Sequence, residues 1–325
     1  MITVKKYNKK LQKEWDQFIV SSNNGTIFQT QKFLSYHNKK KFKHFSLIVN
    51  HNNSPIAAIP GVVMQTKGKK KFYSHPGASF GGIVLKKNLS FALINKIIIA
   101  VEEYLKASSF NNIFLINTPI IYFDTQDFSL EYLLNWHQYK QKEIYISHAV
   151  NIQRCTCIAD LLSKRKKRYI NNDYGLNQFS FKKSTSFQTF YNILYQSKLQ
   201  YKTKPTHSLK ELKKLQSLCS DEIELLITKD KNRIVGGSLI FHANKKVSLI
   251  FYNVVKRNFR NTQLATLQLY QSMKIIKQRG QHYVDFGVSH TPEATNPFSP
   301  KWSLIKFKEQ FGSSGVTRQA YIKDL

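Results

Sequence analysis

Candidate chemistry is concentrated in two short stretches of the second half of the sequence. Asp285 lies near the end of the apolar run "HYVDFG" (282–287), and Lys308 lies inside "WSLIKFKEQFG" (302–312). A carboxylate at the C-terminal edge of a parallel strand can orient an amine or take its proton. The alternative is that Asp285 is a structural acceptor that caps the next loop, or a partner for Lys308.

The stretch 302–312 contains two overlapping patterns. Its middle alternates like a strand, whereas its apolar residues also share a helical stripe that ends at Gly312. Since it follows a strand and a loop with three prolines, we predict a last helix capped by Gly312. Burial of Phe307 would then aim Lys308 toward a binding cleft while Lys306 faces elsewhere.

A glycine-rich stretch in the first half, "SHPGASFGG" (74–82), is a second candidate binding loop. Its small residues would allow the backbone or a phosphate of a ligand to approach closely. His75 is a candidate base, although a single loop histidine more often has no catalytic role. Glycine-rich turns are common, so an ordinary turn remains the alternative.

A run of basic residues, Lys164–Arg168, opens the second half on a short predicted helix. Contiguous charges spread around a helix, so only some of them can face one ligand. A pyrophosphate group or a nucleic-acid backbone would satisfy them. A solvated helix face is the alternative.

The whole chain has the same basic character. Its 325 residues include 50 Lys and Arg against 19 Asp and Glu, which gives a net charge of +31. The excess indicates either a polyanionic partner or a solvated basic surface, and both interpretations stay open. A hydrophobic content of 42% excludes a disordered chain and supplies cores for two domains.

Three cysteines form no disulfide framework, and Cys155 and Cys157 lack a second pair that would complete a zinc site. We therefore predict no metal and a reducing, cytoplasmic environment. The N-terminus has no apolar signal region. The most apolar predicted helix (89–105) is interrupted by Asn, Lys and Glu, so no transmembrane segment is expected.

The two halves of the sequence have the same predicted order of elements, β-α-α-β-β-β-α-β-α-β. Residues 1–150 form one copy and residues 151–325 the other, with little sequence identity between them. A tandem pair of α/β domains with mixed sheets is the leading architecture. Two unrelated α/β domains are the alternative.

Several motifs in this order resemble the Fem-type (FemABX-like) branch of the GNAT acyltransferase superfamily. They are "LLSKRKKRYINNDYGLNQFSF", "KPTHSLKELKKL", "YVDFGVS" and "LIKFKEQFG" in the second half, and "SSNNGTIFQTQKFLSYH" and "SHPGASFGG" in the first. The branch includes bacterial acetyltransferase-like members from surface-polysaccharide gene clusters. The resemblance spans nearly the whole chain and implies two GNAT-like domains, of which the first is degenerate and binds the acceptor.

The resemblance implies an N-acyltransferase that moves an acyl or aminoacyl group to an amine of a cell-envelope precursor. Acceptors of this kind are nucleotide- or lipid-linked, and are an amino sugar of a surface glycan or a peptidoglycan peptide. The donor would be acyl-CoA or aminoacyl-tRNA, used as a co-substrate without a tightly bound cofactor. The basic charge favours tRNA, and the absence of a long helical hairpin insertion favours acyl-CoA. The protein would work at the cytoplasmic face of the membrane, in peripheral contact with anionic lipid.

Roles for individual residues follow from the same resemblance. Lys308 would stabilise negative charge on the donor or on the oxyanion, with Asp285 as the second catalytic candidate. The donor-binding candidates are Phe307, Tyr252, Asn253, Arg260, Asn261 and Thr262. The acceptor-binding candidates are His75, Gly77, Ser79, Gly82, Lys164, Arg165 and Arg168.

One departure from the family pattern bears on the donor. The pyrophosphate loop of GNAT proteins, Arg/Gln-x-x-Gly-x-Gly/Ala, reads "KRNFRNTQLATLQL" here and has no glycine. A CoA pyrophosphate would lose the close backbone approach that glycine allows, although the helix N-terminus still offers amides. The alternative function is therefore a non-catalytic protein that binds RNA or an anionic membrane on a decayed transferase fold.

Overall fold

The structure is a computed structural model that describes residues 1–38, 40–66, 68–171, 177–290 and 298–325. Contacts divide it into two units. The first unit contains Met1–Tyr145 and Val316–Leu325, and the second contains most of the chain from 146 to 315.

The helices alternate with strands along the chain, as the sequence predicts. They are α1 Gln12–Ser21, α2 Gln31–Leu34, α3 Phe91–Ala107, α4 Ser129–Trp136, α5 Lys164–Asn171, α6 Phe187–Leu199, α7 Leu209–Leu218, α8 Leu264–Gln278 and α9 Trp302–Glu309.

The strands form an antiparallel sheet and mixed parallel and antiparallel arrangements. They are β1 Ile2–Lys6, β2 Lys43–His44, β3 Leu47–His51, β4 Ser54–Ile59, β5 Val62–Thr66, β6 Lys69–Ser74, β7 Val84–Leu85, β8 Asn112–Ile116, β9 Lys140–Asn151, β10 Phe179–Lys183, β11 Ile223–Asp230, β12 Arg233–His242, β13 Val247–Val255, β14 Tyr283–Val288 and β15 Ser314–Asp324.

The first unit contains an antiparallel sheet with the order β1-β3-β4-β7, and the strands β15-β8-β6-β5-β2. Strands β6 and β8 run parallel, and their other neighbours are antiparallel. Helix α3 starts at Ser90, whose side chain accepts a hydrogen bond from the Leu93 amide. Its buried residues recur at helical spacing and pack into the core of this unit, as Ile97 and Leu105 do.

The second unit has the strand order β10-β11-β12-β13-β14-β9. The pair β13–β14 is parallel and the remaining pairs are antiparallel. Helix α8 covers β12 and β13 with Leu264, Leu267 and Met273, which are buried in the core of this unit. The predicted mixed α/β class is confirmed in both units.

The parallel strands β13 and β14 separate part-way along their length. They pair only over Val247–Leu249 and Tyr283–Asp285, although β13 continues to Val255. The register between β12 and β13 also shifts, with Leu239 opposite Tyr252 but Ile240 opposite Ile250, which leaves an extra residue on β13. The result is a splay, the gap between β13 and β14 beyond residues 249 and 285.

The matching parallel pair of the first unit, β6–β8, is closed by its own loop. The Oγ of Ser74, the last residue of β6, accepts hydrogen bonds from the Gly82 and Ile116 amides, both at 2.9 Å. The Gly81 amide donates to the Ile116 carbonyl, and a Cβ on Gly81 would lie 2.5 Å from the Ser74 carbonyl oxygen. The glycines of "SHPGASFGG" therefore allow the loop to cover the strand end.

The last strand of each half of the sequence pairs with a strand from the other half. Residues 147–151 of β9 pair with β14 in the second unit. Residues 320–324 of β15 pair with β8 in the first unit. Contacts thus group Val316–Leu325 with Met1–Tyr145, and the division into domains 1–150 and 151–325 stays a prediction about the two GNAT-like copies.

Local turn and cap predictions agree well with the backbone. The hairpin between β3 and β4 uses Asn52 and Asn53, which both have positive φ, and Gly280 after α8 has φ +79. The predicted second helix is shorter than expected, because α2 ends at Leu34. No helix in the part of the chain that the structure describes is long and apolar enough to cross a membrane.

Replacing Ser74 with alanine should destabilise the first unit. The variant Ser74→Ala leaves the Gly82 and Ile116 amides without their buried acceptor, which should lower the free energy of unfolding by about 2–4 kcal/mol. Urea denaturation measures the difference. Ser35→Ala, at an exposed serine, should change it by less than about 0.5 kcal/mol; equal stability of both variants would show that the closed strand end contributes little.

Candidate active site

Lys308 lies at the end of the splay in the second unit. Its Nζ donates hydrogen bonds to the Gly287 carbonyl at 2.6 Å, the Val288 carbonyl at 3.1 Å and the Ser289 Oγ at 2.8 Å. Its side chain is only 5% exposed. An ammonium group therefore satisfies the carbonyls of β14 in the region where β13 no longer pairs with this strand.

The backbone of β14 is shaped to present these carbonyls. Gly287 has φ +72, and the register with β9 shifts between Asp285 and Val288, which marks a β-bulge. A residue with a Cβ would be strained in this conformation, so glycine allows the bend. The bend brings two consecutive carbonyls, of Gly287 and Val288, to the same ammonium group.

Burial makes the Lys308 ammonium group easier to deprotonate than an ordinary lysine. Desolvation lowers the pKa of Lys308 to about 8, and the negative charge of Asp285 acts in the opposite direction. Lys308 is thus mainly a fixed cation at neutral pH, and it becomes a neutral amine in mildly alkaline solution. Lys306, on the same helix, is exposed, as predicted.

Asp285 stabilises the bulge. Its Oδ1 accepts hydrogen bonds from the Ser147 Oγ at 2.7 Å and from the Gly287 amide at 2.6 Å, and the residue is 2% exposed. These contacts fit the structural interpretation of Asp285. Lys308 and Asp285 meet at Gly287, since one binds its carbonyl and the other its amide.

Strand β9 adds a histidine to this group. The Nδ1 of His148 lies 3.1 Å from the Ser289 Oγ, which also accepts from Lys308. Burial, followed by the charge of Lys308, lowers the pKa of His148 below its usual range, so a neutral ring is favoured. Lys308, Ser289 and His148 form one buried hydrogen-bonded chain, which we call the lysine–serine–histidine chain.

Sequence patterns missed Ser147, His148 and Ser289. Ser289 ends the motif "YVDFGVS", so the sequence places it four residues from Asp285, but no pattern assigned it a role. Ser147 and His148 lie in an alternating strand whose partner strand the sequence does not specify. Only the pairing of β9 with β14 brings them to Lys308.

Two predicted donor-binding residues on β13 are already engaged with the protein itself. The Tyr252 hydroxyl accepts a hydrogen bond from the Thr206 amide at 3.0 Å, and the residue is buried. Asn253 accepts hydrogen bonds from Ser238 and Gln268 under α8. These contacts position β13, and any donor contact would come in addition to them.

The loop before α8 ends in a residue with left-handed backbone. Arg260, Asn261 and Thr262 are exposed at the end of a 3-10 turn, Arg257–Thr262. The next residue, Gln263, has φ 58 and takes the left-handed conformation at the start of α8. The sequence Arg260-x-x-Gln263-x-Ala265 thus follows the pyrophosphate-loop pattern with glutamine in the place of its first glycine.

A second lysine is buried near this loop. The Nζ of Lys166 donates to the Thr266 Oγ1 at 2.8 Å and lies 4.7 Å from the centroid of the Phe307 ring. Burial, then the charge of Arg165, lowers the pKa of Lys166 to about 8. This residue fixes α5 against α8 and holds Phe307, a predicted donor-binding residue that is only partly buried. Phe307 was expected to be the buried anchor of α9, but Lys308 is the more deeply buried of the two.

The predicted acceptor-binding residues fall in both units. Lys164, Arg165 and Arg168 are exposed on α5 of the second unit. His75, Gly77, Ser79 and Gly82 lie in the closed loop of the first unit.

His75 is fully buried in that loop. It accepts a hydrogen bond from the Gly77 amide and lies 3.4 Å from the His44 ring. Burial, followed by His44 and His37, lowers the pKa of His75 to about 3, so the ring is neutral at physiological pH. A direct contact between His75 and an acceptor would require the loop to uncover the ring. Within the described residues, no group of three or more His, Cys, Asp or Glu side chains could hold a metal ion.

Comparison with known proteins identifies the fold. The structure is similar to that of FemX, with a TM-score of 0.76 and 12% identity over 99% of this chain and 97% of that chain. The chain has a Fem-type, GNAT-like fold. The predicted resemblance to this branch and the tandem GNAT-like architecture are thereby confirmed at the level of the fold.

Two further solved structures share it. A tandem GNAT protein from the clavulanic acid biosynthesis pathway has a TM-score of 0.53 and 9% identity, over 100% of this chain and 98% of that chain. The C-terminal domain of a putative lysylphosphatidylglycerol synthetase from Agrobacterium fabrum has a TM-score of 0.58 and 8% identity, over 98% and 93%. No protein-family model and no curated protein matches the sequence.

Gln263 should be a site of backbone strain in the second unit. Left-handed backbone is unfavourable for a residue with a Cβ, and the Gln263 Oε1 also accepts a hydrogen bond from the Thr266 Oγ1 at 3.3 Å. Gln263→Ala removes this bond but keeps the Cβ, so Gln263→Gly should have a free energy of unfolding up to about 1 kcal/mol higher than Gln263→Ala. Gln271→Gly, within α8 where glycine is a poor helix former, should lie about 1 kcal/mol below Gln271→Ala. Urea denaturation measures both differences, and a Gln263→Gly protein less stable than Gln263→Ala would contradict the assignment of backbone strain.

Lys308 should make stability depend on pH between about 8 and 10.5. In this window the folded protein releases the Lys308 proton while the unfolded chain keeps it, so stability rises with pH. In Lys308→Met, the rise between pH 8 and pH 10 should be smaller than in the wild type by about 2 kcal/mol.

Denaturant titrations near these two pH values test the shift. Lys306→Met, on the exposed side of the same helix, is the matched control and should retain the wild-type dependence. A Lys308→Met protein with the wild-type dependence would mean that the Lys308 pKa is not lowered.

Proposed function

We propose that the protein is an N-acyltransferase that moves an acyl or aminoacyl group from an activated donor to an amine of a cell-envelope precursor. The observation that carries the proposal is the buried Lys308 ammonium group at the splay of the second unit. A cation without bulk solvent around it interacts strongly with developing negative charge. The Fem-type fold, shared with FemX and with part of a putative lysylphosphatidylglycerol synthetase, supports the same class of reaction.

The donor would bind at the splay, next to α8 and α9. The amine nitrogen of the acceptor attacks the acyl carbonyl carbon, the bond to the thiol or hydroxyl leaving group breaks, and the amine releases a proton. Lys308 has three N–H groups, and three protein oxygens accept from it. Lys308 therefore acts through its fixed positive charge, with the oxyanion or the donor phosphates as the groups that it stabilises.

The released proton needs an acceptor, and the site contains two candidates. Asp285 is committed by its Oδ1 to Ser147 and Gly287. The ring of His148, at the end of the lysine–serine–histidine chain, is neutral in the free protein and so is available to accept the proton. Asp285 would hold the bulge at Gly287, and so would position the two carbonyl groups that accept hydrogen bonds from Lys308.

The two units would have different roles. In the first unit the loop 75–82 already occupies the end of the parallel pair, which supports a degenerate, acceptor-side domain. In the second unit the splay and Lys308 support the donor side. The exposed cations Lys164, Arg165 and Arg168 would bind the phosphates of a nucleotide- or lipid-linked acceptor.

Two features of the chain bear on the donor, and they favour different compounds. Gln263 has the left-handed conformation that glycine favours, at the pyrophosphate-loop position before α8, which favours acyl-CoA. The net charge of +31 favours aminoacyl-tRNA. Either reaction would take place in the cytoplasm, at the inner face of the membrane where envelope precursors are assembled.

Acyl transfer should depend on Lys308. Purified protein is offered acetyl-CoA or charged tRNA with an amino sugar or a muropeptide, and thiol release and tRNA deacylation are followed in parallel. We expect one donor to be consumed, and Lys308→Met to lower kcat by about 100-fold or more, because a preorganised charge at the oxyanion is lost.

Lys306→Met, which changes an exposed lysine of the same helix, should keep the wild-type kcat. Circular dichroism verifies that both variants are folded. Full activity of Lys308→Met would remove the proposed role of this residue. Consumption of neither donor with any acceptor would favour the non-catalytic, polyanion-binding alternative.

A further inference from the structure

The first unit exposes a row of aromatic side chains on α4. Phe128 precedes the helix, and Tyr132 and Trp136 follow at four-residue intervals, so the three share one helix face. Their exposed fractions are 63%, 61% and 70%, and Phe91 at the start of α3 is 49% exposed with its ring centroid 5.9 Å from that of Tyr132. We call these four residues the aromatic ridge.

The ridge is not needed to hold α4 in place. The opposite face of the helix buries Leu130, Leu133 and Leu134 in the core of the first unit. Large aromatic side chains that stay exposed in a cluster are typical of an interaction surface. Burying them would therefore stabilise a complex and would leave the fold unchanged.

The charges around the ridge indicate what covers it. The exposed residues of α4 are Tyr132, Asn135 and Trp136, and none of them is charged. Glu131 has a buried carboxylate oxygen, and burial raises its pKa above the usual range. The ridge is thus an apolar surface without a charge at its centre.

Exposed lysines flank the ridge in the sequence on both sides. Lys86 and Lys87 precede α3, and Lys140 and Lys142 follow α4. Of the acidic groups before α4, Asp124 is paired with Lys87 at 2.8 Å, and Asp127 accepts a hydrogen bond from the Ser129 amide at the start of the helix. An apolar, aromatic surface with exposed lysines close to it in the sequence matches the boundary between lipid headgroups and acyl chains.

We propose that the aromatic ridge docks the protein on an anionic lipid surface. The net charge of +31 attracts such a surface at long range, and the same charge opposes the association of two copies of this chain. Phe128, Tyr132 and Trp136 then insert at the headgroup level, where aromatic side chains are favoured. The uncharged aromatic centre of the ridge is a poor match for nucleic acid, whose phosphates need neutralising. This inference is independent of the proposed transfer reaction.

Cosedimentation with lipid vesicles tests the docking. The full chain should bind vesicles that contain phosphatidylglycerol, and should bind pure phosphatidylcholine vesicles at least about tenfold more weakly. The combined variant Phe128→Ser, Tyr132→Ser and Trp136→Ser should lower the apparent affinity for the anionic vesicles by about tenfold or more, because the apolar contribution is lost.

The chain supplies a matched control at another exposed tryptophan. Trp302 is 68% exposed on α9 in the second unit, so Trp302→Ser removes a comparable side chain from a different surface. This variant should bind anionic vesicles like the wild type. In a Trp302→Phe background, the fluorescence of Trp136 should shift to shorter wavelength on binding and be quenched by brominated lipid, whereas Trp15 is already buried.

Four results would overturn the inference. They are a failure to bind anionic vesicles, wild-type affinity of the triple variant, Trp136 fluorescence that does not change with lipid, and quenching of Trp136 by single-stranded RNA at least as strong as by vesicles. Sedimentation equilibrium provides a further outcome, since a dimer that the triple variant abolishes would assign the ridge to self-association instead.

Discussion

A single buried ammonium group holds together the part of the molecule where chemistry is proposed. In the second unit the parallel strands β13 and β14 stop pairing after residues 249 and 285, which would leave buried carbonyl groups of β14 without partners. Lys308 extends from α9 and donates hydrogen bonds to the carbonyl groups of Gly287 and Val288. The same interaction holds the last helix against β14 and places a cation at the splay, where a donor would bind.

The two units resolve the same structural problem in different ways. In the first unit, Ser74 and a glycine-rich loop close the end of the parallel pair with hydroxyl and backbone groups. In the second unit the pair stays splayed, and Lys308 satisfies the β14 carbonyls, which leaves a titratable charge with a pKa of about 8. A hydroxyl satisfies backbone amides without introducing charge, whereas a lysine satisfies carbonyls and adds an electric field. That difference is the physical basis for assigning separate roles to the two GNAT-like copies.

Burial of charge recurs close to the proposed donor site. Lys166 lies on α5 and Lys308 on α9, and both are buried with a pKa lowered to about 8. The Nζ of Lys166 lies over the ring of Phe307, which precedes Lys308 on α9. Desolvation of an ammonium group destabilises the folded protein unless polar groups or an anionic ligand compensate. Two such groups in one unit therefore favour the binding of an anion, as an acyl donor with phosphate groups would provide.

Local sequence patterns predicted most of the helices, strands and turns. Alternating and helical periodicities predicted nearly all of the strands and helices, and turn residues such as Asn52, Asn53 and Gly280 fixed hairpins and caps, because these depend on neighbours within a few residues. The motif "LIKFKEQFG" also singled out Lys308 as a candidate site residue. The motif did not predict which face of the helix is buried: Phe307 was expected to be the buried residue, and the structure buries Lys308 more deeply.

The groups that meet at the site come from distant parts of the sequence, and long-range pairing in the folded chain brings them together. Strand β9 has the same periodicity whichever strand it pairs with, so no local pattern could bring His148 and Ser147 to β14. The depth of Lys308, and hence its lowered pKa, depends on the splay, on the bulge at Gly287 and on the packing of α9. Long-range strand pairing and burial are collective properties of the folded chain, and they convert one lysine of a basic sequence into a candidate catalytic group.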